Sequence, residues 1–332
     1  MADVVCLGEL LIDFVPTVTG TSLIDAPAFK KAPGGAPANV AVGLARLGTP
    51  SAFMGKVGDD PFGHFLAQIL ADAGVDIGPL RYSRDARTAL AFVSLRADGE
   101  REFMFYRHPS ADMLFTPAEV DRDALRQARA LHYGSISLID EPARSATLEA
   151  IATARAAGCL ISCDPNLRLA LWPDPEAARE GLNLAMSGAQ VVKISDEELR
   201  FLTGSDDPAA ARERLWHDQL ELMVVTLGAA GCVYFAPDFD GVVVGFSVES
   251  IDATGAGDGF VAGLLHGLLR DRDAVHDQQR LREICRFACA VGALTTTERG
   301  AIPALPGHDL VRRLLDADSG HLREAAPGRS AP

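Results

Sequence analysis

The chain is poor in the features that would tie it to nucleic acid, membrane or a disulfide framework. Basic residues are outnumbered, with 31 Lys and Arg against 45 Asp and Glu and a net charge of −14. No Lys/Arg cluster forms the basic face through which nucleic acid is usually held, so a nucleic-acid partner is excluded. No charge-free apolar run reaches the ~18 residues of a spanning helix, which excludes a membrane partner. No Lys or Arg precedes Lys30, against a basic leader or an Arg-rich transit peptide, so a cytoplasmic location is expected. Aromatic residues make up only 6%. The six cysteines include no CxxC pair. Cys159/Cys163 and Cys285/Cys289 share a four-residue spacing, but no His or acidic cluster completes a metal site, and buried free thiols are expected.

What is present fits a soluble α/β protein: 332 residues, 48% of them hydrophobic. Short apolar runs read as buried strands at Val4–Leu7, Ala52–Val57, Leu131–Ile136, Leu160–Asp164, Val191–Ile194 and Met223–Leu227. Helical periodicity occupies Pro61–Ala73, Pro142–Ala157 and Glu176–Ser187. Strands alternating with helices imply a mostly parallel sheet covered on both faces, with ligands at the carboxyl ends of its strands.

Two segments break the alternation. Leu10–Lys31 is extended, and Thr88–Arg107 reads as a hairpin with arms Leu90–Leu95 and Glu102–Tyr106 around Ala97-Asp98-Gly99-Glu100. Together they predict a small β-sheet lid, the alternative being an antiparallel edge of the main sheet. One domain over 1–316 is expected, with the lid formed by about 10–31 and 88–107. Residues 317–332 read as a polar, frayed tail.

The most informative stretch is Asp252-Ala253-Thr254-Gly255-Ala256-Gly257-Asp258-Gly259-Phe260, which runs into a helical apolar segment. Small residues at 255–257 let the backbone approach a ligand, and the helix behind them offers free N–H groups and its positive dipole end to an anion. An acidic residue there is placed to take a proton beside a bound phosphate, or alternatively only to cap the helix. A second Gly-rich element, Ala32-Pro33-Gly34-Gly35-Ala36-Pro37-Ala38-Asn39, leads into another helix and sets an amide among core residues.

Both elements resemble the two signature motifs of the ribokinase-like (pfkB) carbohydrate kinases, and the resemblance covers roughly residues 3–310. It extends to the fructokinase branch through Gly8-Glu9-Leu10-Leu11-Ile12-Asp13-Phe14-Val15-Pro16, through Phe103-Met104-Phe105-Tyr106-Arg107-His108-Pro109-Ser110-Ala111-Asp112-Met113-Leu114, through Asp164-Pro165-Asn166-Leu167-Arg168 and through Glu298-Arg299-Gly300-Ala301-Ile302-Pro303-Ala304-Leu305-Pro306.

The resemblance implies a three-layer α/β/α sandwich with a β-sheet lid, and phosphoryl transfer from ATP to the 6-hydroxyl of D-fructose. It implies Asp258 as general base, an anion hole from Gly255, Ala256 and Gly257, and Arg168 as a clamp on phosphate oxygens. Asp13, Gly34, Gly35, Asn39 and Arg107 would contact the sugar. Lys193, Thr226, Gly228, Gly231 and Gly257 would line the ATP phosphates. Mg²⁺ would be organised through water by Glu198, although the family's Asn-x-x-Glu reads Ser195-Asp196-Glu197-Glu198 here, so the first residue of that motif is lost. A monovalent cation, K⁺, would sit by Asp252 and Thr254 with carbonyls from the loop near 295–304. A homodimer through the lid is the implied assembly. The rival readings are a 2-keto-3-deoxygluconate kinase of the same fold and a catalytically inactive regulatory relative.

Overall fold

Strand β1 (Val4–Leu7) shows how the main sheet is buried. Val4 and Cys6 belong to one hydrophobic cluster and Val5 and Leu7 to another, so successive side chains enter two separate cores. Helices 36–46, 61–72, 256–270 and 278–295 supply the first core, and helices 143–156 and 175–187 contribute to the second. The result is a three-layer α/β/α sandwich. The computed structural model describes residues 2–18, 20–95 and 101–324.

The remaining strands are β2 (Leu11–Pro16), β3 (Phe29–Gly34), β4 (Ser51–Gly58), β5 (Leu80–Ser83), β6 (Leu90–Leu95), β7 (Arg101–Tyr106), β8 (Ala130–Tyr133), β9 (Leu160–Cys163), β10 (Val191–Ser195), β11 (Leu222–Thr226), β12 (Gly231–Phe235) and β13 (Asp240–Val244). Among the described residues the main sheet has nine strands in the order β13-β12-β11-β10-β9-β8-β1-β4-β5. All neighbours are parallel except β11–β12 and β12–β13. That antiparallel edge has no counterpart in the sequence reading, because β13 leaves Val242 and Val244 exposed and carries no buried apolar run. The expected strand Leu131–Ile136 stops at Tyr133. There Ser135 donates its N–H to the Pro165 carbonyl at 3.1 Å, and the chain turns into a short 3₁₀ helix.

The two extended segments form a separate four-stranded sheet, β3-β2-β6-β7, rather than an edge of the main one. The turn expected at residues 97–100 lies outside the described residues. Register divides this sheet into two faces. Asp13 stands opposite Ala91, which stands opposite Phe105. Phe14 stands opposite Phe92, which stands opposite Met104. Asp13 and the Phe14–Phe92 stack, 5.0 Å between centroids, therefore lie on opposite faces.

Small residues bring two helices of the first core together. A Cβ on Gly43 would stand 2.7 Å from Ala262 Cβ, so helices 36–46 and 256–270 cross at close range. At the other end, helix 308–324 continues past Asp316, where a polar tail is expected. Leu314 and Leu315 pack on the first core, and Arg286 pairs with Asp318 at 2.6 Å. All six cysteines are buried and free. Among the described residues no helix is long and apolar enough to cross a membrane.

Candidate active site

The site grows from the start of helix 256–270. Gly255 caps it in the left-handed region at φ 80°, and a Cβ there would meet Ala301 Cβ at 2.6 Å, so glycine is required. The first regular helical bond runs from Gly259 N–H to the Gly255 carbonyl at 2.8 Å. The N–H groups of Gly257 and Asp258 precede it, in the turn that has no intrahelical acceptors and meets an anion favourably.

Asp258 does not serve as the cap. Its carboxylate turns across to helix 36–46, where Asn39 Nδ2 donates to Oδ2 at 2.7 Å. Both residues are buried. Asn39 and Asp258 stand one turn before Gly43 and Ala262, so the close helix crossing sets this bond. The other amide atom, Asn39 Oδ1, is buried without a partner. Burial pushes the Asp258 carboxyl up to about 7; the Asn39 hydrogen bond pulls it down, Asp164 pushes it up, and Lys193 and Arg168 pull it down. A carboxyl poised near neutrality is suited to general-base work.

Lys193 lies in the middle of β10 and Asp164 follows the last residue of β9, and the pairing of Val192 with Cys163 sets them opposite each other. Their ion pair, Nζ to Oδ2, is 3.0 Å long and buried, and Asp164 Oδ1 is left without a partner. A Cβ on Gly257 would stand 3.0 Å from Lys193 Nζ, so the ammonium lies against the first turn of helix 256–270. Burial pulls the Lys193 pKa down, but Asp164 and Glu198 outweigh it and hold it above the ordinary range.

After β9 the chain bends through Asn166 at φ 52°, a left-handed conformation that Asn tolerates better than most side chains. The bend brings out Arg168, exposed and electrostatically close to both Asp13 and Asp258. Glu198 holds this bend in place. Its Oε1 accepts from Leu167 N–H and its Oε2 from Ser195 N–H, each at 2.7 Å. Ser195 returns the favour to Glu198 N–H at 3.1 Å, a capping box on helix 196–203. The Ser that replaces the family's Asn is thus the helix cap.

On the lid side, a Cβ on Gly34 would stand 2.2 Å from Asp13 Oδ2, so β2 and β3 pair only because Gly34 leaves room for that carboxylate. Burial raises the Asp13 carboxyl to about 6, with Arg168 pulling the other way. Gly35 caps helix 36–46, and Glu9 Oε1 accepts the Ala36 N–H at 3.0 Å. Arg107 is turned inward. Its Nε and Nη2 donate to Asp112 Oδ2 at 2.8 and 2.5 Å, and Ser110 Oγ donates to Oδ1 at 2.5 Å. This buried pair anchors the end of β7, and Glu9 lies within its electrostatic reach.

The remaining candidates lie around the same sheet edge. Thr226 ends β11, with Gly228 and Gly231 in the turn that follows it. Asp252 Oδ1 accepts from Thr254 N–H and Oγ at 3.0 and 2.7 Å, and Oδ2 accepts from Gly300 N–H at 2.9 Å. Asp252 therefore ties the loop before Gly255 to the loop after helix 278–295. The structure thus gathers Asp258, Asn39, Lys193 and Arg168 at one point, with Asp13 across from Arg168. Asp164 is the residue that the sequence reading passed over. Its signal was available: a carboxylate closing one buried apolar run and a lysine set inside the next. Glu9 and Asp112, which flank Arg107, had no such signal because only the fold brings them together.

A helix N-terminus beside a buried carboxylate, at the carboxyl edge of an α/β/α sheet with a β-sheet lid, defines a ribokinase-like small-molecule kinase. The description "pfkB family carbohydrate kinase" matches residues 1–307, and the chain belongs to that family. It is 57% identical to probable fructokinase-7 of Arabidopsis thaliana, covering 95% of this chain and 92% of that one. Its fold superposes on Xylella fastidiosa fructokinase with bound ATP at a TM-score of 0.88, with 38% identity over 96% of this chain and 100% of the other. It also superposes on a double mutant of Vibrio cholerae O395 fructokinase in fructose, ADP and potassium ion bound form, at a TM-score of 0.83 and 38% identity over 95% and 98% of the two chains.

Proposed function

We propose that this chain is an ATP-dependent fructokinase that transfers the γ-phosphate of ATP to the 6-hydroxyl of D-fructose. The observation that carries the reading is Asp258: a buried carboxylate raised to about 7, set in the first turn of a helix whose N–H groups face an incoming anion. Asp258 takes the proton of the sugar hydroxyl as its oxygen attacks the γ-phosphorus. The bond from that phosphorus to the β-phosphate oxygen breaks, and ADP leaves with the electron pair. Gly255 and Gly257 supply backbone N–H groups to the transferring phosphoryl oxygens, whereas the expected third donor, Ala256, gives its N–H to the Ala253 carbonyl at 3.2 Å; Arg168 and Lys193 supply positive charge. Positioning and charge neutralisation account for most of the barrier lowering in such transfers.

Asp13, Gly34, Gly35 and the free Oδ1 of Asn39 would receive the sugar. Arg107 would support that pocket from the lid end through its pair with Asp112. Thr226, Gly228 and Gly231 would line the nucleotide phosphates. The donor set also fits Mg²⁺: Asp164 Oδ1 is a buried acceptor without a partner, and Glu198 is a second carboxylate on the same edge. Glu198 would hold the ion through water, and the ion would neutralise phosphate charge. K⁺ would sit by Asp252 and Thr254, stiffening the loop before the anion hole. Met104 and Tyr106, exposed on the lid face opposite Asp13, support a lid that closes over the sugar and pairs with a second copy. The six buried free thiols support a reducing, cytoplasmic setting.

A substrate panel with ATP and Mg²⁺ tests the assignment. The expected result is the highest kcat/KM for D-fructose. A higher value for 2-keto-3-deoxygluconate or ribose overturns the sugar, and no turnover with any sugar points to the inactive relative.

A further inference from the structure

We propose that Asn39 is a positioning residue for Asp258: its amide nitrogen holds one carboxylate oxygen and leaves the other to take the sugar proton. This rests on the reading of Asp258 as the general base.

Asn39 is out of place by composition. It is 5% exposed, with Ala38, Val40, Ala41 and Val42 buried around it on the same helix. Burying an amide in apolar surroundings is unfavourable unless its polar atoms are matched. One of them is: Nδ2 reaches Asp258 Oδ2 at 2.7 Å. The other, Oδ1, has no partner within the protein. If Asn39 served the sugar alone, its donor would be open to the sugar as well. Here the donor is committed to Asp258, and only the acceptor remains for a hydroxyl.

The consequences follow from the neighbours of the Asp258 carboxylate. Asp164 on the loop after β9 opposes its ionisation, and burial does so more strongly. Lys193 on β10 and Arg168 beyond β9 favour ionisation, as does the Asn39 hydrogen bond. A hydrogen bond to the charged form lowers a carboxyl pKa, so its removal raises that pKa and depletes the active base at neutral pH. The bond length is set by packing. Gly43 and Ala262 meet one turn further along the same two helices, and a methyl group at Gly43 would stand 2.7 Å from Ala262 Cβ. Adding that methyl separates the helices and weakens the bond while leaving Asn39 in place.

The test is the pH profile of kcat/KM for fructose in wild type, Asn39→Ala, Asn39→Ser and Gly43→Ala, with folding checked by circular dichroism. In Asn39→Ala the acid limb is expected to move up by about one pH unit from its position near 7, with kcat/KM near pH 7 lowered about fivefold and largely restored near pH 9. Asn39→Ser, which keeps a short donor, should fall between the two, and Gly43→Ala should shift the limb in the same direction. A raised KM with an unmoved limb and unchanged kcat makes Asn39 a sugar contact only and overturns the proposal. If Asn39→Ala does not fold, Gly43→Ala decides, and an unshifted limb there overturns it. Undiminished turnover in Asp258→Asn removes the base assignment itself, a failure distinct from that of Asn39.

Discussion

Lys193 and Asp164 face each other across adjacent strands, Nζ to Oδ2 at 3.0 Å, both buried and both beside the helix that carries Asp258. Removing one member of a buried pair leaves an uncompensated charge, which typically costs about 3–5 kcal/mol. Lys193→Met should therefore lower the unfolding free energy by roughly that amount and also raise the Asp258 pKa. Adding Asp164→Asn should recover most of the stability but not the turnover. Denaturant titration with parallel kinetics checks both. Full recovery of activity in the double mutant would reduce the pair to a structural role.

The raised carboxyls set a pH dependence of stability. Asp258 is pushed from 3.8 to about 7 and Asp13 to about 6. Their folded pKa values lie above the unfolded ones, so this contribution is fully present below about pH 4 and is lost as pH rises through 6 to 7. Asp258→Asn escapes the Asp258 part of that loss. It should be more stable than wild type by on the order of a few kcal/mol near pH 8 and by less near pH 5. Thermal melts at the two pH values check this, and an equal difference at both would mean that Asp258 is not perturbed in the fold.

Much of this arrangement was legible in the sequence. The strands β1, β4, β9, β10 and β11 announce themselves as apolar runs, because a strand buried on both faces has no polar side to interrupt it. The Gly-rich stretch at 255–257 and the amide at Asn39 stand out because each breaks the rule of its surroundings. What was not legible depends on long-range packing. Nothing local says that Arg107 will turn to Asp112, that Glu198 will hold Leu167, or that Gly43 will meet Ala262. The helical course of 308–324 past Asp316 is not legible either, because Asp318, polar in sequence, finds Arg286 only in the fold.

Asp252 joins two loops, bonded to Thr254 at 2.7 Å and to Gly300 at 2.9 Å. A cation held there would order the loop before Gly255, so K⁺ should stimulate turnover, and Asp252→Ala should abolish the stimulation. Rates in potassium and in a bulky organic-cation buffer, after stripping, check this. Equal rates in wild type would mean that no cation acts at Asp252.

Tyr106 is 57% exposed on the lid and packs its ring against Phe92 with centroids 5.5 Å apart. An apolar lid face of this kind predicts a dimer in solution. Replacing Met104 and Tyr106 together by Ser should shift the species seen by light scattering from dimer toward monomer. A wild-type monomer at working concentration would contradict the lid contact.

If Asp258 activates the sugar hydroxyl, Asp258→Asn separates chemistry from binding when ADP release and ATP binding are measured on the same protein. ATP affinity should stay close to wild type by calorimetry while kcat with fructose falls about 10²–10⁴-fold or more, the loss expected for removal of a general base. Near-wild-type kcat in that variant would contradict that role of Asp258.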